Sequence, residues 1–563
     1  MKQSHKILKI ASIDIPLQKK LCADLGISPV LAQILINRHI IDSSAAQKFL
    51  DAGSQDLLDG ALFKDMAKAV GLVNIAAAAG KKVMVFGDYD ADGITALALV
   101  KETLERMGIK ALHYLPHRLN EGYGLNKSAV RRAVEDGVGL LITVDCGITS
   151  HEEIEELRRH NIEVIVTDHH EPADTTLPPA SAIINPKVKD SGYKFKDLAG
   201  VGVAYKFCQA LSNSKMFDDL DIVCLGTIAD SVPLCGENRV IAKVGLLRLA
   251  RTRRAGIRAL IENAGISGKP FNPESVSFIL APRINASGRM DTAEVSLRLL
   301  LCSQKEEASK LAGVLDAHNR QRQKIESKIM EEALELLDRD FDQKLHKIIV
   351  IAKDDWHRGV LGIVASKLAD RFYRPAIVIS MGKDQCKGSG RSIKNFHLFE
   401  ALLECRRFLS AFGGHAHAVG LTMDKNNIEN FKESILRTAA DKLLLEDMLP
   451  SLDIDLELSL ADINDGMIAE LDKLQPYGQG NPEALFYTRG LKLKGQPQSL
   501  RRDTLKFRVS NGDVTMQVIG FGMAPLMPSL EAADSLDLVY SARMDNWQGD
   551  SSLILEAKDM FFR

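Results

Sequence analysis

The sequence predicts a multi-domain α/β protein: a parallel-sheet domain, joined by a long helix to a second α/β domain, and a small C-terminal β-barrel. Short Val/Ile/Leu runs alternate with helix-length segments from about residue 76, which is typical of buried parallel strands. A charged segment without proline at 303–340 indicates the long helix. The strand-rich region after Asp453 indicates the barrel.

Composition and charge narrow the class of protein. With 45% hydrophobic and 26% charged residues, the chain has the composition of a globular protein. A net charge of -2 means that any nucleic-acid binding must come from local basic surface. Eight cysteines without a Cys-x-x-Cys pair argue against a zinc ribbon and a disulfide framework. No signal peptide or membrane span is apparent, so we expect a cytoplasmic protein with no membrane association.

The first half of the chain divides into two predicted parts. Residues 1–75 are expected to be helical, with Asp42 capping one of the helices. Between 76 and 299, strands alternate with helices such as 96–107 and 151–160, which is the βαβ order of a doubly wound sheet. This part is expected to hold the chemistry.

The second half is predicted to contain a bridge and two further domains. Residues 300–344 form a helix so polar that we expect it to bridge two domains in solvent. Residues 345–450 contain strands at 348–352 and 376–379 around a helix, and so form the second α/β domain. Residues 451–563 form the barrel.

Acidic and imidazole side chains follow the apolar runs at 83–86, 140–144 and 164–166, and a fourth run at 222–229, which is either a strand or the end of a helix. These side chains are Asp88, Asp90, Asp92, Asp145, Asp168, His169, His170 and Asp230. Because ligands of parallel sheets bind beyond the carboxyl ends of the strands, we expect these groups to converge. Oxygen and imidazole ligands without a thiolate suit Mn²⁺ or Mg²⁺.

Each group also has an ordinary explanation. Residues 88–92 could be an acidic turn that caps the next helix, Asp145 an Asx turn, and His169 with His170 a surface pair. Carboxylates this close repel one another strongly unless a cation neutralises them. Four such groups in order therefore favour a divalent-metal site.

This ordered set resembles the DHH phosphoesterase superfamily, named for the Asp-His-His triplet. Residues 412–420 (FGGHAHAVG) resemble the glycine/histidine signature of the accompanying DHHA1-type domain. More narrowly, four motifs resemble the RecJ family of bacterial single-strand-specific exonucleases: GDYDADG at 87–93, RLNEGYGL at 118–125, PRINASGR at 282–289 and GSGRS at 388–392. The resemblance spans about 76–563. It implies a DHH catalytic domain, a DHHA1-type domain and an OB-fold barrel.

The resemblance also implies roles for residues of the metal site. The implied metal ligands are Asp88, Asp90, Asp145, His169 and Asp230, with Asp145 bridging two ions. Asp92 and Asp168 would be supporting carboxylates of the catalytic site. His170 would contact the phosphate or protonate the leaving group. Many superfamily members carry a metal-binding histidine where this chain has Met84 and Phe86, so we expect one ion to be held more weakly.

A second set of residues is implied to bind substrate: Arg118, Arg283, Arg289, Ser389, Arg391 and His415. Ser389 and Arg391 are predicted to lie in a glycine-rich turn that holds the 5′ phosphate, because guanidinium matches phosphate oxygens bidentately. An ordinary polar loop is the alternative, and His415 could follow a helix stop. The arginine-rich segment 248–258 could bind the strand or be a solvated face.

The barrel interleaves Phe507 and Phe521 with basic residues, which fits an OB fold that stacks bases beside neutralised phosphates. Buried core aromatics are the alternative for both phenylalanines. The basic residues are Lys492, Lys494, Arg501, Arg502, Lys506 and Arg508.

The implied function is a 5′–3′ exonuclease specific for single-stranded DNA. It would use two divalent cations, Mn²⁺ or Mg²⁺, to release 5′-mononucleotides in DNA repair and recombination. A DHH phosphodiesterase on nanoRNA or cyclic dinucleotides is an alternative that the extra barrel disfavours. A non-catalytic replication scaffold is disfavoured by the complete ligand set. We expect a monomer that binds single-stranded DNA, with single-strand-binding protein and a RecQ-type helicase as partners by resemblance.

Overall fold

The computed structural model describes residues 6–118, 120–172, 176–342, 345–547 and 550–563. The chain divides into two compact units, described here in turn. The first comprises 58–232 and 245–450, and the second comprises 6–57, 233–244 and 451–563.

The strands of the described residues are numbered in chain order. They are β1 Ile7–Ile10, β2 Lys82–Gly87, β3 Ala111–Tyr114, β4 Val138–Val144, β5 Glu163–Thr167, β6 Ala182–Ile184, β7 Ile349–Asp354, β8 Ala376–Met381, β9 Gln385–Arg391, β10 Ala411–His415, β11 Ala418–Asp424, β12 Ser451–Ile454, β13 Leu456–Glu457, β14 Phe486–Leu493, β15 Gln498–Leu500, β16 Thr504–Ser510, β17 Thr515–Gly520, β18 Leu536–Trp547 and β19 Asp550–Phe562.

The α-helices of the same residues are numbered likewise. They are α1 Ile15–Leu25, α2 Pro29–Asn37, α3 Ser43–Asp51, α4 Met66–Ala78, α5 Ala91–Arg106, α6 Lys127–Glu135, α7 His151–Arg159, α8 Gly200–Ser212, α9 Leu220–Ala229, α10 Gly236–Leu249, α11 Ala255–Asn263, α12 Ala281–Met290, α13 Glu294–Leu301, α14 Lys305–Asp340, α15 Leu361–Phe372, α16 Leu398–Glu404, α17 Ile428–Lys442, α18 Asp465–Asp472 and α19 Met527–Ala532.

The first unit contains the predicted parallel sheet, with strand order β3-β2-β4-β5-β6. The apolar runs at 83–86, 140–144 and 164–166 all lie in its strands, and they are buried. The fourth run at 222–229 lies in α9, which is buried from Leu220 to Ile228. Its strand interpretation is therefore wrong, because a helix that is buried on all sides also has an unbroken apolar sequence.

The same unit contains the second sheet, with strand order β10-β11-β9-β8-β7. Only the β7–β8 pair is parallel, so this sheet is mixed. Residues 385–391 form β9, so the predicted glycine-rich turn around Ser389 is wrong. Residues 411–415 form β10, so the helix-stop interpretation of this segment is wrong too. The long helix is confirmed as α14, although part of its surface is buried.

The second unit is built on a sheet with order β13-β14-β18-β19-β17-β16-β15. Because β14 also pairs with β16, the sheet curls back on itself, which is consistent with an OB-type fold. Helices α1, α2 and α3 contribute Leu21, Leu31 and Leu50 to the same core as Phe486 of β14. Asp42 caps α3 as predicted, accepting a hydrogen bond from the Ala45 amide at 2.9 Å.

Two further observations concern helices that could cross a membrane and the pairing of the cysteines. No single helix within the described ranges is long and apolar enough to cross a bilayer, although the bent pair α1 and α2 passes that test jointly on length and composition. All eight cysteines are unpaired thiols.

Candidate metal centre and arginine cluster

Strand register brings the predicted ligands together. Gly87 at the end of β2 pairs with Val144 of β4, and Val144 pairs with Thr167 of β5. The residues that follow, Asp88, Asp145 and Asp168, therefore leave the sheet side by side at its carboxyl edge. Asp145 has a φ of 61°, a left-handed conformation that aspartate tolerates better than most residues. The sheet edge thus supplies the framework of the site.

The candidate ligand atoms fall into groups that could each hold a cation. Their members lie within 4.8 Å of one another in the groups Asp88/Asp90/Asp145, Asp92/His169/Asp230 and Asp145/His169/His170. His169 Nε2 is 3.2 Å from Asp145 Oδ1 and 3.6 Å from Asp230 Oδ2. We refer to Asp88, Asp90, Asp145, His169 and Asp230 as the metal centre. Asp145 and His169 lie between its two ends.

Several buried atoms of the metal centre have no hydrogen-bond partner. These are Asp88 Oδ1, Asp145 Oδ1 and His169 Nε2, the last two lying close together without hydrogen-bond geometry. Burial, followed by neighbouring carboxylates, raises the pKa of Asp88, Asp145 and Asp230 well above the usual value. Burial lowers the pKa of His169 to about 3, so its imidazole is neutral. Crowded, unpartnered carboxylates beside a neutral imidazole are the donor set of divalent cations such as Mn²⁺ and Mg²⁺.

Backbone amides satisfy Asp92 and Asp168, as they do the implied ligand Asp90, which caps α5 and accepts from the amides of Asp92 at 3.0 Å and Gly93 at 3.1 Å. Asp92 accepts from the amides of Gly200 at 2.7 Å and Val201 at 2.8 Å, at the start of α8. Burial raises the pKa of Asp92 to about 7. Asp168 accepts from the amides of Ile148 at 2.9 Å and His169 at 2.7 Å. These contacts fit supporting carboxylates that fix the loops around the metal centre.

His170 is held by Asp168 and by a tyrosine that the sequence analysis did not single out. Its Nδ1 lies 2.8 Å from Asp168 Oδ1 and 3.0 Å from the Tyr123 hydroxyl. Burial disfavours the imidazolium, but the hydrogen bond to Asp168 and that residue's charge outweigh it and raise the pKa of His170. The Tyr123 hydroxyl also donates to the Asp145 carbonyl oxygen at 3.2 Å. The motif at 118–125 contained this tyrosine and could have identified it.

Strand β2 itself contributes no ligand side chain to the metal centre. Met84 and Phe86 are buried in the core below the sheet edge, so neither contributes a ligand.

Asn285, within the motif at 282–289, accepts from the Ala91 amide at 2.8 Å and so fixes the acidic loop before α5. It was not singled out from the sequence either.

The predicted phosphate-binding residues of β9 lie beside the start of α15. A Cβ at Gly362 would lie 3.0 Å from Ser389 Oγ and 3.2 Å from Arg391 Nη2, so glycine allows this close approach. Burial and the charge of Arg118 lower the pKa of Arg391. Arg289 of α12 donates to the Gly359 carbonyl oxygen at 3.0 Å. We call Arg118, Arg289 and Arg391, with Ser389, the arginine cluster.

The arginine cluster carries a surplus of partly buried positive charge. Burial, followed by the charges of Arg118, Arg322 and Arg391, lowers the pKa of Arg289 to about 9. The Arg118 guanidinium lies 4.8 Å from the centre of the Tyr89 ring, in the acidic loop of the metal centre. Mutually repelling guanidinium groups of this kind suit an anion such as phosphate.

The other two predicted substrate-binding residues have different surroundings. Arg283 is committed to an ion pair with Asp316, at 3.1 Å, and donates to the Ile279 carbonyl oxygen at 2.7 Å. His415 ends β10 with an exposed side chain, and partial desolvation together with the charge of Arg391 lowers its pKa. His415 therefore lies near the arginine cluster, whereas Arg283 is held by α14.

Two further segments were considered for strand binding: the arginine-rich segment 248–258 and the barrel. Arg254 forms ion pairs with Glu102, Asp219 and Asp221, so it stabilises the fold. Strand binding by the segment 248–258 stays a prediction for its exposed arginines, Arg251, Arg253 and Arg258. In the second unit, Phe507 is 2% exposed and belongs to the core, whereas Phe521 is 56% exposed. Only Phe521 of the two phenylalanines can offer a face to a base.

Comparisons with known proteins agree with the motifs. Three domain families match this chain: the DHH family, N-terminal domain over residues 82–227, the DHHA1 domain over 345–441 and the RecJ OB domain over 454–559. The single-stranded-DNA-specific exonuclease RecJ of Bacillus subtilis is 38% identical over 545 residues, covering 96% of this chain and 69% of that protein. The protein of the same name from Escherichia coli is 34% identical over 553 residues, covering 93% and 94%.

Solved structures give the same assignment. The crystal structure of RecJ from Thermus thermophilus in complex with Mn²⁺ matches with a TM-score of 0.87 and 30% identity, covering 100% of this chain and 80% of that one. The Mg²⁺ complex from the same organism matches with a TM-score of 0.79 and 28% identity, covering 99% and 78%. The chain therefore belongs to the RecJ family of the DHH superfamily.

Proposed function

We propose that this chain is a 5′–3′ exonuclease specific for single-stranded DNA, which hydrolyses phosphodiester bonds with two divalent cations and releases 5′-mononucleotides. The observation that carries the proposal is the metal centre, in which the buried atoms Asp88 Oδ1, Asp145 Oδ1 and His169 Nε2 lack hydrogen-bond partners within the protein. Relatives at 34% and 38% identity carry the name of this activity. The barrel distinguishes this function from that of a DHH phosphodiesterase acting on nanoRNA or cyclic dinucleotides.

In this proposal the metal centre would hold the two cations, with Asp145 between them. When bound, they supply Lewis-acid stabilisation of the attacked phosphate and a water of lowered pKa. Water attacks phosphorus, and the bond from phosphorus to the 3′ oxygen of the terminal nucleotide breaks. His170, whose pKa is raised, donates a proton to that departing oxygen. Asp168 and Tyr123 hold the imidazole in place for this transfer.

The arginine cluster would bind the 5′ phosphate of the terminal nucleotide. Arg391 and Arg289 present guanidinium groups to it, Ser389 offers its hydroxyl, and His415 contacts the same nucleotide. Fixing the terminal phosphate sets which bond reaches the metal centre, and so favours release of one nucleotide at a time. Arg283 acts indirectly, because its ion pair with Asp316 positions the helix that carries Arg289.

The remaining assignments belong to the same proposal. Residues 76–299 form the catalytic domain, 345–450 the substrate-binding domain and 451–563 the strand-binding domain, after the N-terminal segment 1–75 and the bridge at 300–344. Exposed basic side chains of the barrel, among them Lys494 and Arg501, would neutralise phosphates beside Phe521. The enzyme acts as a monomer in cytoplasmic DNA repair and recombination, with single-strand-binding protein and a RecQ-type helicase as partners.

One experiment tests the activity. The purified protein is incubated with 5′-labelled single strand, 3′-labelled single strand, duplex and a dinucleotide, each with Mn²⁺, Mg²⁺ or a chelator. We expect the 5′ label to appear as mononucleotide from the first turnover, only on single strands and only with metal. Cleavage that survives the chelator, or a preference for duplex, contradicts the proposal. A preference for the dinucleotide supports the phosphodiesterase instead.

A further inference from the structure

The loop that joins β3 to α6 supplies a side chain to the arginine cluster and another to the metal centre. It spans residues 115–126, and its described residues form no helix or strand. Arg118, a member of the arginine cluster, lies 4.8 Å from the centre of the Tyr89 ring. Further along the loop, the Tyr123 hydroxyl lies 3.0 Å from His170 Nδ1. Whatever fixes this loop therefore acts on both sites.

Core packing does not fix Tyr123. The residue is 48% exposed, so its position depends on its hydrogen bonds and on the backbone of the loop. Gly122 and Gly124, on either side of it, have φ of 82° and 83°, in the left-handed region that favours glycine. The chain thus turns on both sides of the tyrosine. The direction of its ring follows from how the rest of the loop is held.

Glu121 holds the loop with both oxygens of its carboxylate. Oε1 accepts from the Tyr114 hydroxyl at 2.7 Å, and Oε2 accepts from the His117 amide at 2.6 Å. The amides of Asn120 and Glu121 donate to the His117 carbonyl oxygen at 3.1 Å and 2.8 Å, which closes a turn. Arg118 lies within this turn. One carboxylate therefore fixes the backbone from which the loop extends its side chains.

The contact of Glu121 with Tyr114 ties the loop to the strand that leads into the metal centre. Tyr114 is the last residue of β3 and pairs in register with Phe86 of β2. The two rings stack with their centres 5.7 Å apart, and Phe86 is fully buried. Asp88 of the metal centre follows closely after Phe86. Phe86 contributes no ligand, but it supports the tyrosine that binds Glu121.

Loss of this support should affect function before it affects the fold. The loop lies outside the sheet, Arg118 and Glu121 are partly exposed, and segments with few buried contacts move at low cost in free energy. A misplacement of about 1 Å at a reacting centre can cost on the order of a hundredfold in rate. A small shift of this loop would therefore be measurable at both sites.

We propose that Glu121 is a positioning residue that fixes one loop for both sites, so that the same carboxylate sets the placement of Arg118 in the arginine cluster and of Tyr123 beside the metal centre. The inference rests on the proposed exonuclease function. Glu121 does not touch the strand in this arrangement. It acts on strand binding through Arg118 and on turnover through Tyr123, which holds the His170 imidazole.

The first test measures kcat and KM of Glu121→Ala on a 5′-labelled single strand. We expect kcat to fall about fivefold, because Tyr123 no longer holds His170, and KM to rise about fivefold, because Arg118 is displaced. Glu135→Ala is the matched control, since it removes an exposed glutamate from the neighbouring helix α6, and both constants should stay unchanged.

The conservative variant Glu121→Gln shows whether hydrogen bonding is the cause. Its amide oxygen can accept from the His117 amide, and its NH₂ group can donate to the Tyr114 hydroxyl oxygen. We therefore expect Glu121→Gln to retain most of kcat and of the strand affinity. Equal losses in Glu121→Gln and Glu121→Ala would overturn the proposal, because the two contacts would then not matter.

Double-mutant cycles provide a readout that a purely structural role would not change. If Glu121 acts through Tyr123, Tyr123→Phe should lower kcat by less than about twofold in Glu121→Ala, instead of about fivefold in the unmodified protein. Arg118→Gln should likewise raise KM much less in Glu121→Ala than in the unmodified protein. Effects that combine additively in both cycles would overturn the proposal.

A second variant keeps the proposal testable if Glu121→Ala does not fold. Tyr114→Phe removes one of the two contacts of Glu121 and keeps the ring that stacks on Phe86. We expect kcat to fall and KM to rise, each by about two- to threefold, at a nearly unchanged Tm. Unchanged constants in a folded Tyr114→Phe would overturn the role of Glu121.

The outcomes separate this proposal from the proposed function. If the unmodified protein degrades no single-stranded DNA, the exonuclease proposal fails and this inference fails with it. If the unmodified protein is active and Glu121→Ala folds with both constants unchanged, only the role of Glu121 is overturned. A change in kcat alone, or in KM alone, also overturns that role, because the loop would then serve one site and not both.

Discussion

The metal centre and the arginine cluster are built from opposite charges, yet each buries them at least partly without full compensation from the protein. In the metal centre, burial raises the pKa of Asp145 well above normal. In the arginine cluster, burial and neighbouring arginines lower the pKa of Arg289 to about 9. Each site is unfavourable alone, and in the proposed function it becomes favourable when its ligand binds, a cation in the metal centre and a phosphate in the arginine cluster.

The two sites are also made differently. The metal centre takes its side chains from residues that follow parallel strands, so strand register aligns them. The arginine cluster takes its side chains from a strand face, from helix α12 and, for Arg118, from the segment between β3 and α6, which no simple rule of topology brings together. The comparison predicts that metal-centre substitutions act on turnover and arginine-cluster substitutions on substrate binding.

The largest expected effect is that of Asp145→Ala. Because Asp145 lies between both ends of the metal centre, turnover should fall by about a thousandfold or more while affinity for single strands changes little. Single-turnover cleavage and fluorescence anisotropy measure the two quantities. Asp338→Ala, which replaces an exposed aspartate on α14, is the control and should behave as the unmodified protein. Retained cleavage in Asp145→Ala would refute the assignment.

Arg391→Ala should produce the opposite pattern. We expect KM for a 5′-phosphorylated strand to rise about a hundredfold with a smaller change in kcat, since a buried bidentate contact is lost. For Arg391→Lys we expect a KM between that of the unmodified protein and that of Arg391→Ala, because an ammonium cannot bind two phosphate oxygens in the same plane. Steady-state kinetics on the phosphorylated strand check this. A fall in kcat at constant KM would place Arg391 in the chemical step and break the comparison.

Stability against pH separates the sites without measuring activity. The folded pKa of Asp92 is about 7, above its unfolded value near 4, so its stabilising contribution is complete below about pH 4 and is lost as pH rises through about 7. The raised pKa values of Asp88, Asp145 and Asp230 act in the same direction. Metal-free protein should therefore lose on the order of 5 °C in Tm, relative to Mn²⁺-loaded protein, between about pH 5.5 and 8. A Tm difference between metal-free and Mn²⁺-loaded protein that does not change with pH would contradict this prediction.

The smallest expected effect is that of Tyr123→Phe. Loss of the hydroxyl removes one contact to His170 and one to the Asp145 carbonyl, so kcat should fall about fivefold with KM unchanged. Steady-state kinetics measure both constants, and Tyr373→Phe serves as the control outside the site. A rise in KM instead would mean that Tyr123 contacts the substrate rather than positioning His170.

Sequence reasoning located the metal centre because its signal is local. An apolar run followed by Asp or His reports a strand and its carboxyl end together, and parallel register then aligns the side chains. It could not separate Arg283 from Arg289, which lie on one helix but face different partners, Asp316 and Gly359. That distinction depends on packing between distant segments.

The glycines of β9 illustrate a second limit. Glycine is common in turns, so the sequence indicated a turn here. A Cβ at Gly388 would lie 2.8 Å from Leu421 Cδ1, and one at Gly390 2.8 Å from Leu398 Cδ2. These glycines make room for neighbouring side chains in the core, a requirement that the local sequence does not express.

The shared core of the second unit has a consequence for biosynthesis. Leu21 and Leu31 emerge from the ribosome roughly 450 residues before Phe486 of the barrel that buries them. At about 5–20 residues per second, these apolar helices wait tens of seconds in the nascent chain without their partner. Folding of this unit is therefore completed only after the barrel has been synthesised, and a chaperone that shields the emerging helices should raise the yield of native enzyme.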